Sequence, residues 1–342
     1  MEITEIGLLT IKAESTYGTD PTPTLGANII PTVRDSVTYE VSTDRIERSA
    51  LDGSLERLAG FNVLPRVTMR FRYELRGNRR NGTTQLDITN GTSTQALEIH
   101  PLLAAADLAA TYTAAGTPGS EGSSAGSRDG YVTYKPTTQA TVGSSVTCYF
   151  YTRLKLHKLI GGKVDFRFIM EAGRVAYIEF TVTGKYVAVA DNTFSTSGAA
   201  YLDVKPPTFD GATLTIASYT PVISSLEFGI GNQIALRPDA TATYGHSGFV
   251  ITDRMPKGRF NPESIAEADH PFWADMIGST TRALVCLIGS SAGNKMQATL
   301  NIEFTAVNYQ NRDKTRVHDA QFDIVRSLLG DTIGNQFQLK FF

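Results

Sequence analysis

Cysteine is almost missing from this sequence: its 342 residues include only Cys148 and Cys286. That excludes a disulfide framework or a cysteine-rich metal site. Both thiols sit in strand-like alternation, Val146-Cys148-Phe150 and Leu284-Cys286-Ile288, which predicts two buried free thiols. Excess charge of one sign is also missing. There are 34 acidic and 32 basic residues, so the basic surplus that holds nucleic acid is absent. No apolar run approaches the roughly 20 residues of a membrane span. The start, Met1-Glu2-Ile3-Thr4-Glu5, lacks the basic and apolar parts of a secretion signal. A soluble protein made in the cytoplasm, with no membrane partner, is the expectation.

Catalytic signatures are equally scarce. The five histidines, His100, His157, His246, His270 and His318, do not pair at metal-ligand spacing, and no His-Glu-x-x-His, Cys-x-x-Cys or phosphate loop occurs. No serine-nucleophile elbow is expected. The reading is therefore no enzyme, no cofactor and no metal. His100 and His270 each precede a proline at an expected helix start, which predicts capping or packing roles.

What the chain does have is β-forming composition: Thr, Val, Ile, Tyr and Phe, punctuated by 30 glycines. The clearest strand runs from Val67 to Leu75. Val67, Met69, Phe71, Tyr73 and Leu75 share one face, and Thr68, Arg70, Arg72 and Glu74 share the other. Such strict period two marks a half-buried strand. Similar alternation covers 146–157, 164–168, 178–182 and 296–305. Helices are expected near 101–109 and 263–277, and a mobile Gly/Ser loop over 111–130. Gly229-Ile230-Gly231 reads as a strand bend.

Four short matches recur in the same order in both halves. Thr43-Asp44-Arg45 returns as Thr252-Asp253-Arg254, and His100-Pro101 as His270-Pro271. Leu159-Ile160-Gly161 returns as Leu287-Ile288-Gly289, and Ile178-Glu179-Phe180-Thr181 as Ile302-Glu303-Phe304-Thr305. They predict an internal duplication: an extended N-terminal arm over 1–36, a first copy over 37–190, a linker over 191–222 and a second copy over 223–342. Six arginines, at 66, 70, 72, 76, 79 and 80, form a basic stripe. It reads as a contact with an acidic partner or as a solvated strand face.

The segment Glu14 to Thr24 with Tyr17-Gly18-Thr19-Asp20-Pro21, together with His100-Pro101-Leu102-Leu103, Gly161-Gly162-Lys163-Val164-Asp165-Phe166 and Ile178 to Gly184, resembles the tail tube proteins of long-tailed, non-contractile bacteriophages. Gly231-Asn232 and Ile251-Thr252-Asp253-Arg254 are similar again. The resemblance implies a mainly β fold, a sandwich or part-barrel with short flanking helices, here in two tandem copies. It implies a structural virion protein made in the host bacterium, whose strand edges join into stacked rings and form a hollow tube for genome delivery. Two copies per chain would turn a six-fold ring into a three-fold one. Expected partners are the chain itself, the tape-measure and other tail proteins, and DNA in passage. A channel for DNA should not bind phosphate. Glu179, Thr181, Thr183, Glu303 and Thr305 are therefore the candidate lumen residues, and Tyr17, Asp20, Arg70, Arg72 and Arg76 the candidate inter-subunit contacts. Alternatives are a tail terminator, decoration or baseplate protein, or a carbohydrate-binding module, which the single Trp273 disfavours.

Overall fold

The computed structural model describes residues 7–51, 56–77, 88–89, 92–93, 97–113, 131–138, 143–199, 201, 204–291, 293–326 and 334–342. In chain order the first elements are β1 (Gly7–Ala13), α1 (Leu25–Asn28), β2 (Ile29–Ile30), β3 (Thr38–Ile46), β4 (Phe61–Glu74), β5 (Ile88–Thr89), β6 (Thr92–Ser93) and α2 (His100–Ala105). Then come β7 (Leu108–Thr113), β8 (Tyr131–Pro136), β9 (Val146–Thr152), β10 (Lys155–Glu171), β11 (Tyr177–Tyr186), β12 (Ala190–Asp191) and β13 (Thr213–Ile216). The rest are β14 (Ile223–Gly229), β15 (Asn232–Pro238), β16 (His246–Arg254), β17 (Lys257–Pro262), α3 (Phe272–Ile277), β18 (Arg282–Ile288), β19 (Met296–Arg312), β20 (Thr315–Ile324) and β21 (Phe337–Phe341).

The expected mainly β architecture with short helices is what forms. Alternation becomes burial: Val67, Met69, Phe71, Tyr73 and Leu75 are all buried on one face of β4, while Arg70 and Arg72 are exposed on the other. Fully burying each such apolar side chain contributes about 1.5–3 kcal/mol. The buried apolar residues of both halves make one connected core, from Leu9 to Phe341.

An eight-strand antiparallel sheet organises the molecule, in the order β3-β4-β11-β10-β14-β17-β20-β19. From the N-terminal half of β10, strands β9 and β1 extend the ladder, with β2 on β1. From the N-terminal half of β19, β18 and β13 extend it likewise, and β21, β8 and β7 follow on the other side. The assembly curls like a barrel around the core. Traced ladder by ladder, however, it ends in open edges among the described residues. Two of these edges are β3 and the C-terminal half of β19.

The strand order repeats. The first half reads β1-β9-β10-β11-β4-β3 and the second β13-β18-β19-β20-β17-β14. Strands β10 and β19 both have 17 residues, and β11 and β20 both have 10. Cys148 lies between Ile11 and Leu159, as Cys286 lies between Leu214 and Ala298. Helix α2 packs on β10 and α3 on β19, so the His-Pro match falls at corresponding places. The other three sequence matches do not. Ile178–Thr181 is on β11 but Ile302–Thr305 on β19, Leu159–Gly161 on β10 but Leu287–Ile288 on β18, and Thr43–Arg45 on β3 but Thr252–Arg254 on β16. An apolar-polar alternation is common to every half-buried strand, which accounts for the Ile-Glu-Phe-Thr match; the other two are short coincidences of composition.

Other expectations change as well. The helices are shorter than the sequence implies: α2 stops before Asp107, whose φ of 56° turns the chain into β7, and α3 covers only 272–277. The single strand expected over 146–157 breaks at Arg153-Leu154 into β9 and β10. Thr213–Ile216, assigned to the linker, is a strand paired with β18. The N-terminal arm carries β1, paired along its length with β9. Residues 111–113 finish β7, and 114–130 lie outside the described residues. Gly231, at φ 60°, makes the expected bend between β14 and β15, and a side chain there would meet the Met255 carbonyl oxygen at 2.3 Å.

Candidate functional site

The first cluster ties the N-terminal arm to its own chain. Glu14 accepts hydrogen bonds from Gly18 N (2.6 Å), Ser145 Oγ (2.6 Å), Thr147 Oγ1 (2.6 Å) and Gly161 N (2.7 Å). Tyr17 donates to the Gly161 carbonyl at 3.1 Å and accepts from Phe249 N at 2.6 Å. Its hydroxyl passes so close to Gly248 that a Cβ there would lie 2.1 Å away. Burial, outweighing the other influences, raises the Tyr17 hydroxyl to about 12. Asp20 accepts from the Tyr149 hydroxyl and from Thr22 N, and lies 3.5 Å from Lys158 Nζ. Burial works to raise the Asp20 carboxyl, but these bonds and charges hold it below its usual range. The sequence reading assigned Tyr17 and Asp20 to a neighbouring subunit, whereas their polar atoms are engaged within the chain. Contacts more than 120 residues apart in sequence carry this lock, and no local pattern reveals them.

A second buried polar group pins α2 and the β15–β16 hairpin to β10. Lys163 is fully buried, donates to the Ser144 carbonyl at 2.7 Å and lies 3.7 Å from Asp107 Oδ1. Arg254 bonds the carbonyls of Ala106 and Asp107 and the Asn232 side chain. Burial lowers the Lys163 ammonium and raises the Asp107 carboxyl.

The third feature is the polar face of the eight-strand sheet. Residues directly opposite in neighbouring strands project to the same side. Arg72, Glu179, Arg167, Gly229, Lys257, Asp323 and Glu303 therefore form one row across seven strands. Three cations and three carboxylates balance along it. Glu179 lies 2.9 Å from Arg72 and 2.8 Å from Arg167. Glu227 continues the series, 3.0 Å from Arg167 and 2.9 Å from Arg259. Partial burial works to raise Glu179, but the two arginines outweigh it and hold the carboxyl below its usual range.

This row corrects the sequence-based split. Glu179 and Thr181, expected on the lumen side, lie directly opposite Arg72 and Arg70, expected on the other side. All four project from one face, because facing residues in an antiparallel pair cannot point apart. Thr183 faces Thr68 on the same strand pair. Glu303 shares the row, and Thr305 is exposed at a bulge between Phe304 and Ala306. Arg76 lies over the Tyr73 ring at 5.9 Å and pairs with Glu74 at 3.1 Å. Arg79 and Arg80 lie outside the described residues. The sequence reading missed Arg167, Glu227 and Arg259 as members of the network. Arg167 and Glu227 stand at polar positions between apolar neighbours, and Arg259 between Gly258 and Phe260, the signal that marks the face.

Cys148 and Cys286 are buried and free, and burial raises both thiols, Cys286 to about 12. His100 bonds the Tyr134 hydroxyl at 3.0 Å and His270 stacks on Tyr219, so neither histidine caps its helix. The pattern Gly-x-Ser-x-Gly does occur, at 122–126 and 289–293. The first lies outside the described residues, and the second joins strand β18 to strand β19. A nucleophile elbow needs a strand-to-helix turn. Among the described residues, no cluster of three metal-ligating side chains occurs and no helix is long and apolar enough to cross a membrane.

No curated protein matches the chain significantly. A family model described as phage tail tube protein matches residues 6–323, which spans both repeats of the strand order and the whole charged row. The chain belongs to the phage tail tube protein family, a structural component of the virion tail.

Proposed function

We propose that this chain carries two copies of the tube fold and that three chains close a pseudo-six-fold ring, the rings stacking into the conduit. The observation that carries this is the repeated strand order, β1-β9-β10-β11-β4-β3 followed by β13-β18-β19-β20-β17-β14. A chain made in the bacterial cytoplasm would assemble there with its copies, around a tape-measure protein and against other tail proteins. The polar sheet face is the conduit wall in this reading, opposite the face that packs on the core. Its Arg72, Arg167 and Arg259 are paired with carboxylates, and a balanced face does not retain phosphate as an unpaired basic one does. Electron microscopy of the purified protein tests the assembly, with hollow tubes of uniform width expected. Protein that stays monomeric at every concentration would overturn it. For the wall, Glu303→Lys is expected to leave tubes intact and impair genome delivery by phage carrying it, and unimpaired delivery would remove this face from the lumen.

A further inference from the structure

Each half leaves its helix through a residue in the left-handed region, Asp107 at φ 56° after α2 and Ser279 at φ 47° after α3. Helix α2 packs on β10 and α3 on β19. On β10, Lys163 stands three residues before Phe166, as Asn301 stands three before Phe304 on β19. Phe166 and Phe304 correspond, one opposite Phe180 and the other opposite Phe322. The second half thus makes this turn with serine and asparagine, and the fold does not require the buried Lys163–Asp107 pair of the first.

That pair is not a closed salt bridge. Lys163 Nζ lies 3.7 Å from Asp107 Oδ1, and this buried oxygen has no hydrogen-bond partner among the described residues. Charge-assisted N–H···O bonds close to about 2.7–2.9 Å. Lys163 Nζ gives one hydrogen to the Ser144 carbonyl at 2.7 Å. The Asp107 backbone is fixed on both sides. Its N–H donates to the Ala104 carbonyl at 3.0 Å, and its carbonyl accepts from Thr137 N at 3.0 Å and from Arg254 at 3.2 Å. Burial, the largest influence on each group, favours an uncharged amine and an uncharged carboxylic acid. It works against their mutual attraction and the weaker pulls of Glu14 on Lys163 and of Arg254 on Asp107.

We propose that Lys163 and Asp107 condense into an isopeptide bond, which crosslinks β10 to the turn between α2 and β7. A desolvated, uncharged lysine is a nucleophile, and the carboxylic acid beside it is the acceptor. The Nζ lone pair adds to Cγ of Asp107. The C–N bond forms, the bond from Cγ to the hydroxyl oxygen breaks, and the departing hydroxyl takes one amine proton and leaves as water. Nothing is oxidised or reduced, and no further reactant enters. Folding supplies the proximity that a free amine and acid in water lack, so the bond forms only once the chain has folded. The product is an uncharged amide, and two buried ionisable groups disappear.

Mass spectrometry of the folded, unmodified chain tests this. The chain should be lighter than its sequence mass by one water. A tryptic digest should contain one branched peptide in which Lys163 is joined to Asp107 and left uncleaved. Lys163→Arg keeps the positive charge without the amine and should show its full sequence mass. Asp107→Asn should reach the same crosslinked product, releasing ammonia in place of water. A wild-type chain at full mass, with trypsin cleaving normally after Lys163, would overturn the proposal. So would a missing water without the branched peptide, the signature of a cyclised aspartate.

Discussion

Hairpins β10–β11 and β19–β20 have the same lengths and the same neighbours in their own halves, but their surroundings differ. The first is enclosed, with β14 on its open flank, the N-terminal arm tied down by Glu14 and Tyr17, and an ion-pair series from Arg72 to Arg259 crossing it. In the second, Gln321 stands opposite Arg259, and the flank from Glu303 onward meets no strand among the described residues. The core is shared and its surround is not. The same rows are buried in both hairpins, but β14 covers the flank of β10 and no described strand covers the corresponding flank of β19.

Substitutions in the shared rows give the largest expected effects. Phe180→Ala and Phe322→Ala each remove a fully buried ring and should cost about 3–5 kcal/mol, read as lower urea midpoints. The halves share one core, so both variants should unfold in a single transition. Two separate transitions would show that the halves are independent domains.

A smaller effect sharpens the contrast at the arm. Glu14→Ala strands donors on Gly18, Ser145, Thr147 and Gly161, at about 1–3 kcal/mol for a buried group left unpaired. Protease cleavage within 14–24 should accelerate while the second half stays resistant. Unchanged cleavage would mean that the arm is held by something else.

Buried or half-buried histidines should make both halves acid-sensitive, His318 and His270 in the second and His100 in the first. His318 is fully buried among Phe272, Trp273 and Tyr309, and neither ring nitrogen has a hydrogen-bond partner among the described residues. Burial lowers its titration, against a weaker pull from Glu267, and lowers that of His270 against Asp275 and Glu267, with Arg282 adding to the lowering. The folded protein then disfavours the charged form. Its stability is full above the unfolded value of about 6.5 and falls as pH drops below it. His318→Gln should flatten that decline in a pH series of melting temperatures, and an unchanged slope would exclude His318 as a source.

The smallest expected effect lies on the charged row. Arg167→Met breaks two half-exposed ion pairs and should cost no more than about 1 kcal/mol, vanishing at high salt. A loss that persists in salt would mean the row is more than a solvated network.

Much of the sheet was legible in the sequence because one buried face enforces period two, as at Val67–Leu75. Strand partnership was not, because ladders between β10 and β14 or β11 and β4 join residues 54 to 119 apart. Generic alternation made Ile178–Thr181 resemble Ile302–Thr305 on strands that do not correspond. Helix lengths were overestimated because Leu102 to Leu108 favours helix, and the positive φ of Asp107 that turns the chain out is not set by that composition. The charges of the polar face were visible one by one. Their pairing across strands, Arg72 with Glu179 above all, required the register.

Cryo-electron microscopy of assembled tubes tests the central claim most directly. The account predicts three chains per ring, with a near-repeat every half chain. Rings of six chains, or rings without that near-repeat, would contradict it.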